Sequence, residues 1–170
     1  MDNKAETKVS KGYLFIVLLL MFFLPLLSTT VECWCSQHSL PLIPLAGKWF
    51  LFWAIGVRLF TAGFKQALNP SFTAQDIFHL TDKQSFVVVR ELGFANICMG
   101  SVAIISLFVP QWRMAAAFCG GLYMGIAGAM HIVKKPVSGN EWVALVSDVF
   151  IGLVMMGYII SSYCCVSTIR

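Results

Sequence analysis

The chain contains 170 residues, of which 58% are hydrophobic and only 12% are charged, and its mean hydropathy is +0.79. Soluble domains carry about 25% charged residues, so this composition indicates a protein whose main partner is the lipid bilayer. The net charge of +4 arises from 12 basic and 8 acidic residues without a dense basic block, which excludes a nucleic-acid-binding protein.

Five apolar segments predict five transmembrane helices, because a helix needs about 20 mostly apolar residues to cross a bilayer. The segments cover residues 12–31, 45–64, 86–109, 114–133 and 142–163. They leave little room for a soluble catalytic domain. We therefore expect an all-α integral membrane protein, in which an N-terminal fifth helix precedes an antiparallel four-helix transmembrane bundle. The expected organisation is a helix or signal anchor over 1–31, an outer-face loop with cysteines over 32–45, and the bundle over 46–165.

The first segment has two interpretations. Its basic start, its 15-residue apolar stretch (13–27) and its small residues at 28–30 are also typical of a secretory signal peptide. The apolar stretch is long for a signal peptide and no clean cleavage site follows it, which favours an uncleaved helix. Cleavage of residues 1–31 stays open at this point.

Lysine and arginine predict the orientation, because basic residues in short loops stay on the cytoplasmic side. Seven of them lie on one side of the predicted membrane: Lys4, Lys8, Lys11, Lys65, Lys83, Lys134 and Lys135. The other side has three, which are Lys48, Arg113 and Arg170. We expect a bacterial inner-membrane protein with a cytoplasmic N-terminus and a periplasmic C-terminus.

The loop between the second and third segments is predicted to contain a short helix. Thr73 and Asp76 have the spacing of a capping box, and Phe72 and Ile77 that of a hydrophobic staple. We expect a helix over 74–80 that places Ile77 and Phe78 at the lipid headgroup boundary.

Charged residues also occur within the predicted helices, where they are costly and tend to mark functional positions. At about 1.5 Å per residue, all of them fall within about 9 Å of the cytoplasmic ends of their helices. They are Arg58, Arg90, Glu91, His131 and Asp148, and Asn96 lies about a turn and a half deeper.

This polar layer has three interpretations, one of which is that its charged side chains snorkel to the nearby membrane interface. It forms a ligand-binding site for an anionic or quinone-like head group, or a proton relay through His131. Alternatively it is a structural lock, in which two arginines neutralise two carboxylates through the pairs Arg58–Glu91 and Arg90–Asp148.

Small residues recur at helical spacing in the last three segments. Gly121 and Gly125 form a small-x-x-x-small pattern, and Gly93, Asn96 and Gly100 share one stripe of the third segment. Such residues let helix backbones approach closely in lipid. We expect these stripes to bring the polar layer together.

Four cysteines fall on the predicted outer face: Cys33, Cys35, Cys164 and Cys165. In an oxidising compartment they can form a disulfide between the first loop and the C-terminus. Free thiols, lipid attachment, or a soft metal held by Cys33, Cys35 and His38 are the alternatives, although the last lacks a fourth ligand and we expect no metal site. No phosphate-binding loop, nucleophile elbow or zinc-protease motif is present. Enzymatic activity stays open, with no independent activity favoured.

Several residues resemble the pattern of the DoxX-like family of small multi-pass membrane proteins. They are the stretch from Arg58 to Lys65 followed by Asn69-Pro70, the triplet from Glu91 to Gly93, Arg113 and His131. The stretch Arg-Glu-Leu-Gly-Phe-Ala-Asn at 90–96 is similar to one found in a group of uncharacterised bacterial membrane proteins. The resemblance covers residues 48–163, and the N-terminal helix departs from it.

The resemblance implies a compact four-helix bundle and a place in membrane redox chemistry, since some DoxX-like proteins belong to complexes that use quinone as an acceptor. We therefore expect a small membrane protein that binds a lipophilic or quinone-like molecule, or that acts as an accessory subunit of a membrane redox complex or as a homo-oligomer. Quinone is the one cofactor that this implies. A small transporter or channel subunit and a purely structural or assembly factor are the alternatives.

Overall fold

Five long helices form the protein in the computed structural model, which describes residues 9–37 and 40–167, with side chains as far as Cys164. All five are long and apolar enough to cross a membrane. We call them spans 1 to 5: Lys11–Cys35, Leu42–Leu68, Ser85–Ile105, Pro110–Lys134 and Gly139–Cys164. The all-α membrane fold is thus confirmed, and every predicted boundary lies within four residues of the observed one.

The two ends of the bundle differ in composition. Consecutive spans run in opposite directions, so the start of spans 1, 3 and 5 lies at the same end of the bundle as the finish of spans 2 and 4. We call this the basic end, since it includes Lys11, Lys65 and Lys134. The opposite, cysteine end includes Cys35 and Cys164.

Spans 2 and 3 form one closely packed hairpin, and spans 4 and 5 form another. A Cβ atom added to Gly93 would lie 2.8 Å from the Gly63 carbonyl oxygen, and one added to Gly152 would lie 3.1 Å from the Gly125 Cα atom. Lipid tails are as apolar as leucine, so helices in a bilayer associate through such close van der Waals packing. The predicted packing role of the small residues is confirmed at these positions.

Buried side chains from all five spans form the core. Met21 of span 1, Ile55 of span 2 and Met155 of span 5 have no solvent exposure. Span 1 therefore packs into the bundle, where it contacts spans 2 and 5.

Spans 1 and 2 each contain a π-helical segment, Leu19–Phe23 and Leu51–Val57, and these two segments pack against each other. The second ends immediately before Arg58. Such segments alter the direction in which the following side chains point, and they occur frequently at functional sites.

The loop between spans 2 and 3 differs from its prediction. Instead of an α-helix over 74–80, it contains a π-helical turn, Phe72–Ile77, without a side-chain cap. The turn ends where His79 adopts a φ of 54°, a left-handed conformation that stops a helix. Ile77 and Phe78 of this loop line a cavity between the spans.

Candidate functional site

A cavity of about 670 Å³ opens at the basic end, and all five spans contribute to its lining. Its walls are mostly apolar, with Leu59, Leu92, Met124 and Ala127 among them. Polar side chains gather in two places, which we call the floor and the mouth. The floor consists of Tyr13, Arg58, Gln66, Asn96, Tyr123 and Asp148, and the mouth of Lys65, His131, Lys134 and Glu141.

A buried ion pair between spans 2 and 5 is the centre of the floor. Arg58 Nη2 donates to Asp148 Oδ1 at 2.7 Å and to Ser147 Oγ at 2.9 Å, while Nη1 lies 3.4 Å from Met21 Sδ. The side chains of Arg58 and Asp148 are only 13% and 9% exposed. Because each charge neutralises the other, the pair persists in an apolar environment.

Two tyrosines lie next to this pair. Tyr13 of span 1 is close to both Arg58 and Asp148. Tyr123 of span 4 is close to the same pair and to Asn96. Hydroxyl groups from two further spans thus join the ion pair and provide hydrogen-bonding capacity at the floor.

An amide pair bridges spans 2 and 3 beside Tyr123. Asn96 Nδ2 donates to Gln66 Oε1 at 2.8 Å, and both residues are buried. Asn96 Oδ1 is buried and forms no hydrogen bond with any described residue. The floor therefore combines one neutralised ion pair with an amide that keeps an unused acceptor.

Two lysines lie at the mouth, each against an aromatic ring. Lys65 Nζ is 3.8 Å from the centre of the Phe72 ring, and Lys134 Nζ is 5.8 Å from that of Phe78. Neither lysine forms an ion pair with a residue that the structure describes. Half-buried His131 also lines the mouth.

The carboxylate at the mouth, that of Glu141, already has partners within the protein. Glu141 Oε2 accepts hydrogen bonds from the backbone N–H groups of Val137 at 2.6 Å and Ser138 at 3.2 Å. Its Oε1 lies 3.1 Å from His79 Nε2, and its own N–H donates to Ser138 Oγ at 3.3 Å. Ser138 and Glu141 thus form a capping box that begins span 5.

The structure brings four of the six predicted site residues together at the cavity: Arg58, Asn96, His131 and Asp148. It does not bring Arg90 and Glu91 there. Both are exposed, and Arg90 Nε donates to the Ala67 carbonyl at 3.1 Å.

The predicted pairing is accordingly wrong, because Arg58 binds Asp148 rather than Glu91. The buried face of span 3 carries Val89, Gly93, Asn96 and Gly100. Arg90 and Glu91 follow Val89 directly, and successive side chains of a helix point about 100° apart. Both residues therefore point away from that face.

Sequence reasoning missed Tyr13, Gln66 and Tyr123 as site residues. For Gln66 a signal existed, since it follows Leu59 and Gly63 at helical spacing on the buried face of span 2. The tyrosines gave no comparable signal, because aromatic residues are common in apolar helices.

The cysteine predictions stay predictions. Cys33 is half-buried, whereas Cys35 and Cys164 are exposed, and all three lie at the cysteine end. The side chain of Cys165 and the whole of His38 lie outside the described residues.

A second, purely apolar groove of about 540 Å³ lies between spans 4 and 5. Gly121, Gly125 and Gly152 contribute to its lining, together with Leu122 and Leu153. None of the described side chains that line it is polar, so nothing there would orient a ligand as the floor does, and the first cavity is the candidate site.

No curated protein and no solved structure matches the chain. A family model does match, and it spans residues 15–167, which includes every residue of the floor except Tyr13. The chain therefore belongs to DUF6790, a family of unknown function.

Proposed function

We propose that this protein binds a lipophilic small molecule, of which quinone-like molecules are one class, in the cavity at its basic end. The observation that carries the proposal is a cavity with apolar walls that ends at a buried polar floor. Sites for small molecules typically have about 300–1,000 Å³, mostly apolar walls and a few polar groups that fix orientation. The lining meets each of these criteria.

A purely structural role accounts for less of this arrangement. The Arg58–Asp148 pair by itself joins spans 2 and 5. However, a structural lock does not need a space of about 670 Å³ beside it, since protein interiors contain few voids larger than a water molecule. An occupant of this space explains the void.

The packing of the cysteine end favours a binding protein over a transporter or channel. Beyond the floor, Met21, Ile55 and Met155 fill the centre of the bundle without solvent exposure. A channel needs a polar route through this region. The apolar core supports a site that is entered from the basic end or from the lipid.

The proposed location is the bacterial inner membrane, with the basic end and the N-terminus in the cytoplasm. The distribution of lysines supports this orientation. The resemblance to DoxX-like proteins supports a role as an accessory subunit of a membrane redox complex.

Filling the cavity tests the proposal. Ala127 lines the cavity, and Ala127→Phe places a ring in it. Ala95 is exposed on span 3, so Ala95→Phe is the matched control. We expect wild type and the control to bind decylubiquinone or hexadecanol in equilibrium dialysis, and Ala127→Phe to bind the same compound at least about tenfold more weakly, as expected when a bulky group takes up the site.

Two outcomes would contradict the proposal. One is a wild-type protein that binds neither compound and releases no lipophilic molecule on solvent extraction and mass spectrometry. The other is equal binding by Ala127→Phe and wild type, provided that both retain the same thermal stability in detergent.

A further inference from the structure

We infer that the ligand of this cavity carries an anionic group, phosphate or carboxylate, which binds between Lys65 and Lys134 at the mouth while its lipophilic body occupies the apolar walls. The inference rests on the proposed function, and it defines the chemical class of the ligand. The occupant is accordingly an acidic amphiphile.

The charges that line the cavity do not balance. Three cations face it, Arg58, Lys65 and Lys134, against two carboxylates, Glu141 and Asp148. Asp148 forms an ion pair with Arg58. Glu141 accepts the capping hydrogen bonds and lies beside His79. Two lysine charges remain at the mouth without a counter-ion among the described residues.

The contacts of both lysines hold them at the cavity. Lys65 lies over the ring of Phe72 and Lys134 over that of Phe78, and both rings line the cavity themselves. A cation over an aromatic face keeps its charge and its hydrogen-bond donors. Each ammonium group thus retains donors for an incoming anion.

These groups favour an anion over a neutral or cationic head group. A lysine ammonium binds phosphate as a point charge, and hydrogen bonds between two ionised groups are about twice as strong as neutral ones. His131 at the same mouth offers a ring N–H as a further hydrogen-bond donor. A quaternary ammonium head, by contrast, would meet two lysine charges without counter-ions, and the carboxylate at the mouth, that of Glu141, is already bound by backbone N–H groups.

Three C16 amphiphiles with different head groups test the inference: hexadecyl phosphate, hexadecanol and hexadecyltrimethylammonium. Binding to the full chain in a neutral detergent is measured by equilibrium dialysis. We expect wild type to bind hexadecyl phosphate at least about tenfold more tightly than hexadecanol, since a hydrogen bond to a charged group contributes about 1.5–3 kcal/mol. The cationic amphiphile should bind most weakly.

The double variant Lys65→Gln/Lys134→Gln should bind hexadecyl phosphate and hexadecanol equally. The control Lys83→Gln/Lys135→Gln removes the same charge from exposed positions at the same end that do not line the cavity. It should keep the wild-type preference. All four substituted lysines are exposed, so both variants should fold, and thermal stability in detergent checks this.

Equal binding of phosphate and alcohol by wild type, or an equal loss of preference in both double variants, would overturn the inference and leave the proposed function standing. Failure of every amphiphile to bind would overturn the inference, and the proposed function falls with it if decylubiquinone also fails to bind and solvent extraction releases no lipophilic molecule. Competition by inorganic phosphate identifies the source of the anion. Displacement of hexadecyl phosphate would indicate a water-soluble phosphate compound and would overturn the assignment of a lipophilic body, whereas persistence of hexadecyl phosphate supports an amphiphile with an anionic head group.

Discussion

The basic and cysteine ends of the bundle each contain a carboxylate that is bound by a cation of span 2, yet they place it in different surroundings. At the basic end, Asp148 binds Arg58 beside a large cavity. At the cysteine end, Glu32 of span 1 binds Lys48 and also accepts a hydrogen bond of 2.7 Å from Trp49 Nε1. Neither Glu32 nor Lys48 lines the cavity.

The two ion pairs differ in how far their carboxylates are removed from solvent. The Asp148 side chain is 9% exposed and that of Glu32 is 29% exposed. The two cations are similar, since Lys48 is 14% exposed and Arg58 is 13% exposed, so the contrast lies in the carboxylates. A carboxylate that is already partly solvated gains little from its ion pair. A buried pair is costly to form and more costly to break, since removing one partner leaves an uncompensated charge. The fold therefore depends on the pair at the basic end far more than on the one at the cysteine end.

Asp148→Leu should have the largest effect, because it leaves the Arg58 guanidinium buried without its carboxylate. We expect a loss of about 3–5 kcal/mol in the free energy of unfolding, measured by titration with a denaturing detergent. Arg58→Leu should lower the free energy of unfolding by a similar amount, because it leaves the Asp148 carboxylate buried without its cation.

The double variant Arg58→Leu/Asp148→Leu separates desolvation from a specific need for the pair. Replacing both partners of a buried ion pair by apolar residues is often neutral or stabilising. We therefore expect the double variant to be more stable than either single variant. A double variant as unstable as the single ones would show that the pair stabilises the bundle through its own geometry.

Gly93→Ala should have an intermediate effect, and it tests whether close backbone packing supports the basic end. The added Cβ would lie 2.8 Å from Gly63 O and 2.9 Å from Ala67 N, so the backbones of spans 2 and 3 must separate. Overpacking of this kind costs about 1–3 kcal/mol. The shift should also weaken ligand binding, because it moves Asn96 and Gln66 at the floor.

Gly157→Ala is the matched control at the cysteine end, where an added Cβ meets nothing within 4 Å. It should leave stability and binding unchanged, or stabilise slightly because alanine favours a helix. If both alanine variants behave alike in denaturation and dialysis, close packing of spans 2 and 3 is not what positions the floor.

The sequence alone predicted the spans well, for a physical reason. Crossing a bilayer requires long apolar helices, and hydropathy records this constraint directly. The depth of a residue in the membrane can also be read from the sequence, since each residue advances a helix by about 1.5 Å. The positions of Arg58 and Asp148 at one level therefore followed from counting residues.

Direction around the helix axis was harder to predict. Arg90 and Glu91 lie at the depth of the site, but on a face of span 3 that points away from it. The glycine stripe through Gly93 marks the buried face and would have shown this. Which spans are neighbours depends on packing between distant segments. The Arg58–Asp148 pair, whose partners are 90 positions apart in the sequence, therefore had no local signal.

Glu32→Gln should have the smallest effect, because it removes a charge that water already solvates in part. The glutamine carbonyl can still accept the hydrogen bond from Trp49 Nε1, so only the attraction to Lys48 is lost. Exposed and partly exposed pairs contribute about 0–1 kcal/mol, and we expect a loss in this range in the same denaturation experiment. Ligand binding in dialysis should not change, since Glu32 lies at the opposite end from the cavity. A loss as large as that of Asp148→Leu would show that the bilayer, which replaces water around span 1, desolvates Glu32 more than its exposed fraction indicates. In that case the contrast between the two ends would reflect the surrounding lipid rather than burial within the protein.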